Sequence, residues 1–453
     1  MEMSRRRWIM TLSAAGGGVL AACTPGQGGG EEPPKAVEKI NIDWWTNWGS
    51  GGLSAQVFDA VAASANQEAR TYQVQHAPQS DGREKLTTVI AAGTPPDVSV
   101  GNLPYPEFWL QGMAEELDTY LKKSRAIKRD DLFPQSWKYG SYKGKTYGIP
   151  AVESFVRWGL VANEELLAKQ GLNPAKMPAT WDELLAWHQE LTVLDPATKA
   201  ITQNGIDPRG SMANGTGGGD PFLWGPAWGF KYYDEAKEQF DLANPMMEEA
   251  LTSMKRFYDV AGGYQARQEF RKQYGNWTGA RSGITVGTEA MQINGYWTPG
   301  SLAKLVPENR YAYGWVPVSS PRKGKNIQAT GGHFAILPTG APHPEPAFEF
   351  LEFLSGEQAE QIIFDGIGWL GARKSFLTKI DVSRYRGLEF FVQSATTTNE
   401  MWESAVNPIE GFFGTEWGKQ VEAVMLGQLS PKSALQELQR ICTEELQRRL
   451  GKA

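Results

Sequence analysis

The sequence KINIDWWTNWGSGGLSAQVFDAVAASANQEARTYQVQHAPQSDGREKLTTVIAAGTPPDVSV, residues 39–100, establishes the fold class of this chain. Some of its segments alternate polar and apolar residues as strands do, and others repeat apolar residues every three or four positions as helices do. The pattern predicts strands over Lys39–Trp45, Tyr72–His76 and Pro95–Val100 and helices over Ser54–Glu68 and Glu84–Ala92. Because strand and helix alternate, we expect an α/β fold with a mostly parallel sheet that is covered by helices on both faces.

Helical patterns return in the rest of the chain. Apolar spacing predicts helices over Thr180–Thr192, Met246–Ala261, Glu345–Ser355 and Ser433–Leu450. Proline and glycine punctuate the aromatic segment Asp220–Phe230, which indicates a loop.

The composition is that of a globular, slightly acidic protein with an excess of tryptophan. The 453 residues are 41% apolar and carry a net charge of −6, which disfavours both a disordered chain and a polytopic membrane protein. The body of the chain has no block of Lys or Arg, so we do not expect a nucleic-acid partner. The 17 tryptophans are the unusual feature of this composition.

The first 36 residues read as signals for export and anchoring. Residues 1–22 combine a basic start with an apolar run, as a secretory signal does, and Arg5–Arg6 also fits the twin-arginine pattern. Leu20–Cys23 resembles the bacterial lipobox, whose cysteine receives a diacylglycerol, and residues 23–36 form a tether rich in Gly and Pro. We therefore expect an extracytoplasmic body that is held to the membrane only by lipid on Cys23.

Motifs for catalysis or metal binding do not occur in the sequence. The four histidines are scattered without an H-E-x-x-H pattern, and no Gly-x-Ser-x-Gly is present. The glycine run 214–220 lacks the spacing of a phosphate-binding loop and predicts a flexible surface loop. Cys442 lies in a helical pattern with Leu435, Leu438 and Leu446, which predicts a buried thiol. We expect neither an enzyme nor a bound metal or cofactor.

Seven short motifs occur in order along the chain. They are DGREKLTTVIAAGTPPDV at 81–98, YKGKTYGIPAVE at 142–153, GLVANEELL at 159–167 with PATWDEL at 178–184, GTEAMQINGYW at 287–297, GGH at 331–333, AFEFLEFLS at 347–355 and GARKS at 371–375. Together they resemble family 1 extracellular solute-binding proteins, the receptors of ABC importers that are related to maltose-binding protein. The sequence departs from the family pattern at Ala162, where Tyr is usual, and at Gly371, where Pro is usual, and these departures bear on the ligand more than on the fold.

The resemblance implies a two-lobed periplasmic-binding-protein fold of the class II type, with the ligand cleft at the hinge. The first lobe would comprise residues 37–150 and 329–367, and the second lobe residues 151–328 and 368–453. Each lobe would be a central sheet flanked by helices. Such a receptor would act as a monomer, close its lobes over the solute and deliver it to the transmembrane subunits of an ABC permease.

The tryptophan excess and the resemblance together predict a carbohydrate ligand. A sugar ring offers an apolar face for aromatic stacking and a rim of hydroxyls for carboxylates, amides and Arg. The candidate ligand-binding residues are Trp45, Asn47, Trp48, Asn102, Glu153, Trp224, Trp228, Trp297, Gly332, His333, Trp369 and Arg373. Strand alternation lets only one of Trp44 and Trp45 face the cleft, and the sequence leaves that choice open.

Two other functions stay open. A receptor for a non-sugar solute, such as glycerol-3-phosphate or a polyamine, would need several cationic donors or several carboxylates in the cleft, and Arg157, Arg281 and Arg373 are available for a phosphate. A secreted glycoside hydrolase would also be rich in Trp and would need two opposed carboxylates, although no motif here resembles one.

Overall fold

The computed structural model describes residues 39–80, 82–101, 105–209, 219–274, 279–403 and 405–451. The predicted export signal, the tether, Cys23, Asn102 and most of the glycine run 214–220 lie outside the described residues.

The strands are β1 Ile40–Thr46, β2 Tyr72–Pro78, β3 Val98–Gly101, β4 Ser141–Tyr142, β5 Lys145–Thr146, β6 Ile149–Pro150, β7 Gly159–Asn163, β8 Val193–Leu194, β9 Ile201–Ile206, β10 Tyr233–Asp234, β11 Gln239–Phe240, β12 Glu289–Asn294, β13 Tyr311–Gly314, β14 Ile327–Thr330, β15 Phe334–Ile336 and β16 Glu400–Glu403. The α-helices are α1 Leu53–Glu68, α2 Gly82–Ala91, α3 Tyr105–Leu110, α4 Asp118–Lys123, α5 Pro134–Tyr139, α6 Glu164–Lys169, α7 Trp181–Leu191, α8 Gly219–Trp228, α9 Pro245–Val260, α10 Tyr264–Gln273, α11 Gly283–Val286, α12 Thr298–Leu305, α13 Pro344–Leu354, α14 Glu357–Ile367, α15 Lys374–Leu377, α16 Leu388–Thr397, α17 Glu410–Met425 and α18 Pro431–Arg449. The four later helices predicted from apolar spacing are confirmed as α7, α9, α13 and α18, with ends that differ by at most two residues.

The first lobe is built on a five-stranded sheet in the order β2-β1-β3-β15-β6. β1 pairs in parallel with β2 and β3, which confirms the predicted βαβαβ arrangement. β15 comes from much later in the chain and pairs antiparallel with β3 and β6. Trp44 is fully buried among Phe58 and Phe350, whereas Trp45 is only partly buried and packs with a different apolar cluster.

The second lobe is built on another five-stranded sheet, in the order β13-β7-β12-β9-β8. β7 pairs antiparallel with β12 and β13, and β12 pairs in parallel with β9. Helices α7, α9, α17 and α18 share the large apolar core of this lobe. Cys442 in α18 is fully buried there, which confirms the predicted buried thiol.

The chain passes between the sheets after β6 and again between β14 and β15. β14 also pairs in parallel with β16, which belongs to a later part of the chain. A separate apolar cluster that includes Phe155, Tyr296, Leu370 and Phe391 packs next to these crossovers. We call this junction the hinge; its role in lobe motion and the residue-level lobe boundaries stay predictions.

The prediction of a loop over Asp220–Phe230 is wrong. Most of the segment forms α8, with Pro226 inside the helix. Leu223, Trp224, Ala227 and Trp228 recur at helical spacing and are buried. Packing of this apolar face therefore outweighs the helix-breaking tendency of the internal Pro and Gly residues.

Candidate functional site

A buried ion-pair cluster lies where the crossover segments meet. The Glu153 carboxylate contacts Arg157 Nη1 at 2.5 Å and His333 Nδ1 at 2.6 Å, one through each oxygen. The Glu153 side chain is 2% exposed, so water has little access to these contacts. Burial alone would raise the pKa of Glu153, but Arg157 and His333 outweigh it and lower that pKa to about 2. Glu153 is therefore a charged carboxylate whose partners are supplied within the protein.

Gly332 allows the two crossovers to lie side by side. The His333 N–H donates to the Glu153 carbonyl at 2.8 Å, and Ser154 Oγ donates to the His333 carbonyl at 3.0 Å. Gly332 has a φ of +148°, and a Cβ there would lie 2.4 Å from the Glu153 carbonyl oxygen and 2.4 Å from Ser154 Cα. Because both obstacles are backbone atoms, only glycine fits at this crossing.

Two tryptophans contact the ion-pair cluster, and a third packs against one of them. The Trp48 ring packs edge-on against His333, with 4.7 Å between the centroids, and lies 5.5 Å from Trp369. The Arg157 guanidinium lies over the Trp297 ring, 4.6 Å from its centroid. Arg157 thus covers one face of Trp297 and neutralises Glu153 at the same time.

Six of the predicted ligand-binding residues therefore lie together at the hinge. They are Trp48, Glu153, Trp297, Gly332, His333 and Trp369, and we refer to them with Arg157 as the hinge cluster. From the sequence alone, Arg157 is only a possible donor to a phosphate. Its position between Glu153 and Trp297 is visible only in the structure.

Other predicted residues have different surroundings. Trp224 and Trp228 stack with Trp181 in the core of the second lobe, and the Trp224 and Trp181 centroids are 4.2 Å apart. Arg373 pairs with Asp131 at 3.0 Å and donates to the Ser355 carbonyl. Trp224 is 1% exposed and Arg373 is 7% exposed, so neither offers much surface to a solute in this arrangement.

Trp45 and Asn47 lie at the end of β1, in the first lobe. The Lys85 ammonium is 4.8 Å from the centroid of the Trp45 ring. Asn47 packs so closely on Gly82 and Gly101 that a Cβ on either glycine would come within 3 Å of it. The void beside these residues measures about 10 Å³, which is too small for a sugar. A ligand contact by any of the predicted residues stays a prediction.

A much larger cavity, of about 870 Å³, opens on the second lobe. Aromatic rings, carboxylates and lysines form most of its lining, which consists of Lys138, Phe222, Pro226, Phe230, Lys231, Tyr232, Tyr233, Asp234, Glu235, Ala236, Lys237, Gln239, Phe240, Asp241, Glu400, Met401, Trp402, Glu403 and Ala405. The described residues that the sequence predicts for ligand binding are not part of this lining. The volume lies within the range of roughly 300–1,000 Å³ that is typical of small-molecule sites.

Several charged groups of the cavity form ion pairs. Lys138, which comes from α5 of the first lobe, lies 2.6 Å from Glu403 and 3.5 Å from Glu235. Burial favours the neutral form of Glu400, but Arg322 outweighs it and holds the pKa of Glu400 below its ordinary value. The Trp402 Nε1–H donates to Glu400 at 3.3 Å. Because Lys138 belongs to the first lobe and Glu235 and Glu403 belong to the second, these two ion pairs link the lobes across the edge of the cavity.

Sequence reasoning does not identify this lining. Two segments nevertheless have a composition that is typical of a sugar site. They are KYYDEAKEQFD at 231–241 and NEMWE at 399–403, which mix aromatic and charged residues at short spacing. The contribution of Lys138 has no such signal, because it depends on how the lobes face each other.

Neither a metal site nor a membrane-spanning helix occurs among the described residues. No group of three or more His, Cys, Asp or Glu side chains is arranged there to hold a metal ion. Of the helices in the same part of the chain, none combines the length and the apolar character that a membrane crossing requires.

Comparison with known proteins identifies the family. The model of the bacterial extracellular solute-binding protein family matches residues 60–389. CpMnBP1 with mannobiose bound superposes with a TM-score of 0.80 at 20% identity, over 89% of this chain and 100% of that chain. An ABC transporter solute-binding protein of Thermotoga lettingae TMO, bound with alpha-D-tagatose, gives a TM-score of 0.75 at 20% identity, over 90% of this chain and 100% of that chain. The maltose/maltodextrin-binding domain of Bdellovibrio bacteriovorus, bound to maltotriose, gives a TM-score of 0.69 at 17% identity, over 90% of this chain and 100% of that chain.

A comparison with curated protein sequences finds no match. The solved structures confirm the predicted two-lobed α/β fold, and at these identities they show the fold alone. The family model, in contrast, spans more than two thirds of the sequence. The chain therefore belongs to the bacterial extracellular solute-binding proteins, whose place of action is outside the cytoplasm.

Proposed function

We propose that this protein captures a carbohydrate in the 870 Å³ cavity, by closing its two lobes, and delivers it to an ABC permease. The lining of the cavity is the observation that supports the proposal. Phe222, Tyr232 and Trp402 offer aromatic surface to the apolar face of a sugar ring, and the charged groups around them suit its hydroxyls. The mannobiose, tagatose and maltotriose bound by the related structures agree with this ligand class.

The pairing of charges favours a neutral solute over a phosphate or a polyamine. A phosphate would compete for Lys138 and would leave Glu235 and Glu403 without their cation. A polyamine would compete for the same two carboxylates and displace Lys138. A sugar hydroxyl can bond to these groups without breaking an ion pair.

We also propose that the hinge cluster sets the geometry of closure. The predicted lobes, residues 37–150 with 329–367 and residues 151–328 with 368–453, would rotate about the crossovers that Glu153 and His333 hold together. Direct contact between solute and the covered face of Trp297 requires Arg157 to move from that face.

A thermal-shift screen of the full chain carrying Cys23→Ser tests the ligand class. The panel contains mono- and oligosaccharides, glycerol-3-phosphate and spermidine. A solute at a hundredfold excess over its Kd stabilises the folded state by about 2.7 kcal/mol, so a true ligand gives a clear shift. Stabilisation by glycerol-3-phosphate or spermidine and by no saccharide would refute the carbohydrate proposal. Release of reducing sugar from a bound oligosaccharide would show a glycoside hydrolase instead of a receptor.

The Trp402→Ala substitution tests the position of the site. Loss of aromatic stacking should weaken the affinity for a saccharide found in the screen by about 1–3 kcal/mol, which is measurable by titration calorimetry. Trp187 is a matched control, because it is also half-buried in the second lobe but does not line the cavity. If Trp402→Ala binds as the wild type does and Trp297→Ala does not, the solute binds at the hinge cluster.

We further propose that the protein is a monomer that lipid on Cys23 anchors to the membrane after cleavage of the signal. In a Triton X-114 phase separation, we expect the natural chain to enter the detergent phase. The Cys23→Ser variant should partition into the aqueous phase, whereas Cys442→Ser should behave as the natural chain does. Detergent partition of Cys23→Ser would exclude this anchor, and light scattering of the same variant checks the monomer.

A further inference from the structure

A second set of polar contacts joins the lobes at the start of α17. Glu107 in α3 of the first lobe accepts a hydrogen bond from the Gly411 N–H at 3.0 Å. Tyr139 in α5 donates its hydroxyl to Glu410 Oε2 at 2.6 Å. Glu410 and Gly411 are the first two residues of α17, so a carboxyl group of each lobe lies at this one junction.

The junction is closely packed. Glu107 is 6% exposed and Glu410 is half-buried. A Cβ on Gly411 would lie 2.6 Å from Glu107 Oε2, so the absence of a side chain lets α17 approach α3. Arg83 in α2 contacts Glu107 at 3.6 Å, but its side chain is 48% exposed and remains hydrated.

The other titratable groups near Glu107 and Glu410 do not balance their charge. They are Arg83 of α2, Tyr105 of α3, Tyr139 of α5, Tyr232 before β10, and Glu445 and Arg449 of α18. Burial raises the pKa of each tyrosine well above its ordinary value, so the tyrosines are neutral. With Glu107 and Glu410 included, the set has three carboxyl groups and two guanidinium groups.

We propose that Glu107 and Glu410 make lobe closure proton-dependent, so that acidification favours the closed form. In this proposal the junction forms as the lobes close, which takes both carboxyl groups out of bulk water and places them near each other. Uptake of a proton then removes the cost of burying like charges. This inference rests on the hinge closure of the proposed function, and the protein without solute is sufficient to test it.

The directions of the pKa shifts of Glu107 and Glu410 agree with closure at low pH. Burial is the main cause that raises the pKa of Glu107 and raises the pKa of Glu410 from 4.5 to about 7. In an open form both groups would be hydrated and would have ordinary pKa values. The closed form then binds a proton more tightly, and this advantage is complete below about pH 4.5 and is lost as the pH rises through about 7. Because Glu410 keeps some exposed surface, we expect the ratio of closed to open molecules to rise roughly three- to tenfold between pH 8 and pH 6.

Small-angle X-ray scattering of the full chain carrying Cys23→Ser, without solute, measures this ratio at pH 6, 7 and 8. We expect the radius of gyration to fall as the pH falls. The Glu410→Gln variant, whose amide mimics the protonated carboxyl, should be closed at every pH, and Tyr139→Phe should keep the pH dependence. Glu403→Gln is the matched control: it removes an exposed carboxylate that also links the lobes through Lys138, and it should shift closure equally at every pH.

A radius of gyration that is independent of pH in the wild type would overturn the proposal, as would an equal pH dependence in Glu410→Gln. The outcome is separable from that of the proposed function. If saccharides bind and scattering is independent of pH, only the proton dependence is wrong. If no solute in the screen binds but scattering still depends on Glu410, only the carbohydrate function is wrong.

Discussion

The Glu153→Gln substitution tests whether the hinge cluster holds the crossovers together. Glutamine keeps the size of the side chain but removes its charge, and it leaves the Arg157 side chain, which is 15% exposed, beside a neutral amide. The fall in the Glu153 pKa from 4.5 to about 2 corresponds to about 3 kcal/mol at neutral pH, since each pH unit is worth about 1.4 kcal/mol. Removing one partner of a buried pair costs about 3–5 kcal/mol, and hydration of Arg157 reduces that cost. We therefore expect the free energy of unfolding to fall by about 2–4 kcal/mol.

Urea denaturation at pH 7, followed by tryptophan fluorescence, measures this loss. Glu116→Gln is the control, because Glu116 pairs with Lys145 at the surface of the first lobe and its side chain is 42% exposed. The control should unfold at the same urea concentration as the wild type, because exposed ion pairs contribute little.

The pH dependence of the loss adds a second criterion. The pKa of Glu153 is depressed in the folded state, so its contribution is present above about pH 4.5 and is lost as the pH falls towards 2. The difference between wild type and Glu153→Gln should therefore shrink by about half between pH 7 and pH 3. A loss below about 0.5 kcal/mol at pH 7, or a loss that is the same at both pH values, would refute the assigned role of the carboxylate.

One further substitution and one labelling reaction test the same structure. Gly332→Ala should lower the free energy of unfolding by about 2–4 kcal/mol, because its Cβ would meet backbone atoms at 2.4 Å. Gly331→Ala should cost much less, because its Cβ would lie 3.3 Å from the flexible Arg157 side chain, and equal losses in urea denaturation would contradict this account. Burial raises the pKa of the Cys442 thiol to about 12, so in the Cys23→Ser chain this thiol should react with Ellman's reagent only after unfolding in urea. Prompt labelling of the native chain would show that Cys442 is accessible.

Local patterns in the sequence predicted part of the secondary structure and the class of fold. The alternation in Lys39–Trp45 and the apolar spacing in Ser54–Glu68 depend on neighbouring residues alone, and both elements occur as predicted. The failure at Asp220–Phe230 has a physical reason as well. Pro226 and the glycines disfavour a helix locally, but the burial of Trp224 and Trp228 against Trp181 stabilises one, and that contact is not local.

By itself the sequence determined an α/β fold and a tryptophan excess. Its resemblance to a family of receptors implied two lobes and pointed to Glu153, Trp297 and His333 as residues of interest. Only the tertiary structure decided that Glu153 pairs with Arg157 and contacts His333, and that Trp297 is covered by Arg157. It alone brought Lys138 of one lobe to the cavity of the other. The reason is that periodicity reports which face of an element is buried, whereas the partner of a charged group is set by where two crossovers, distant in sequence, place it in space.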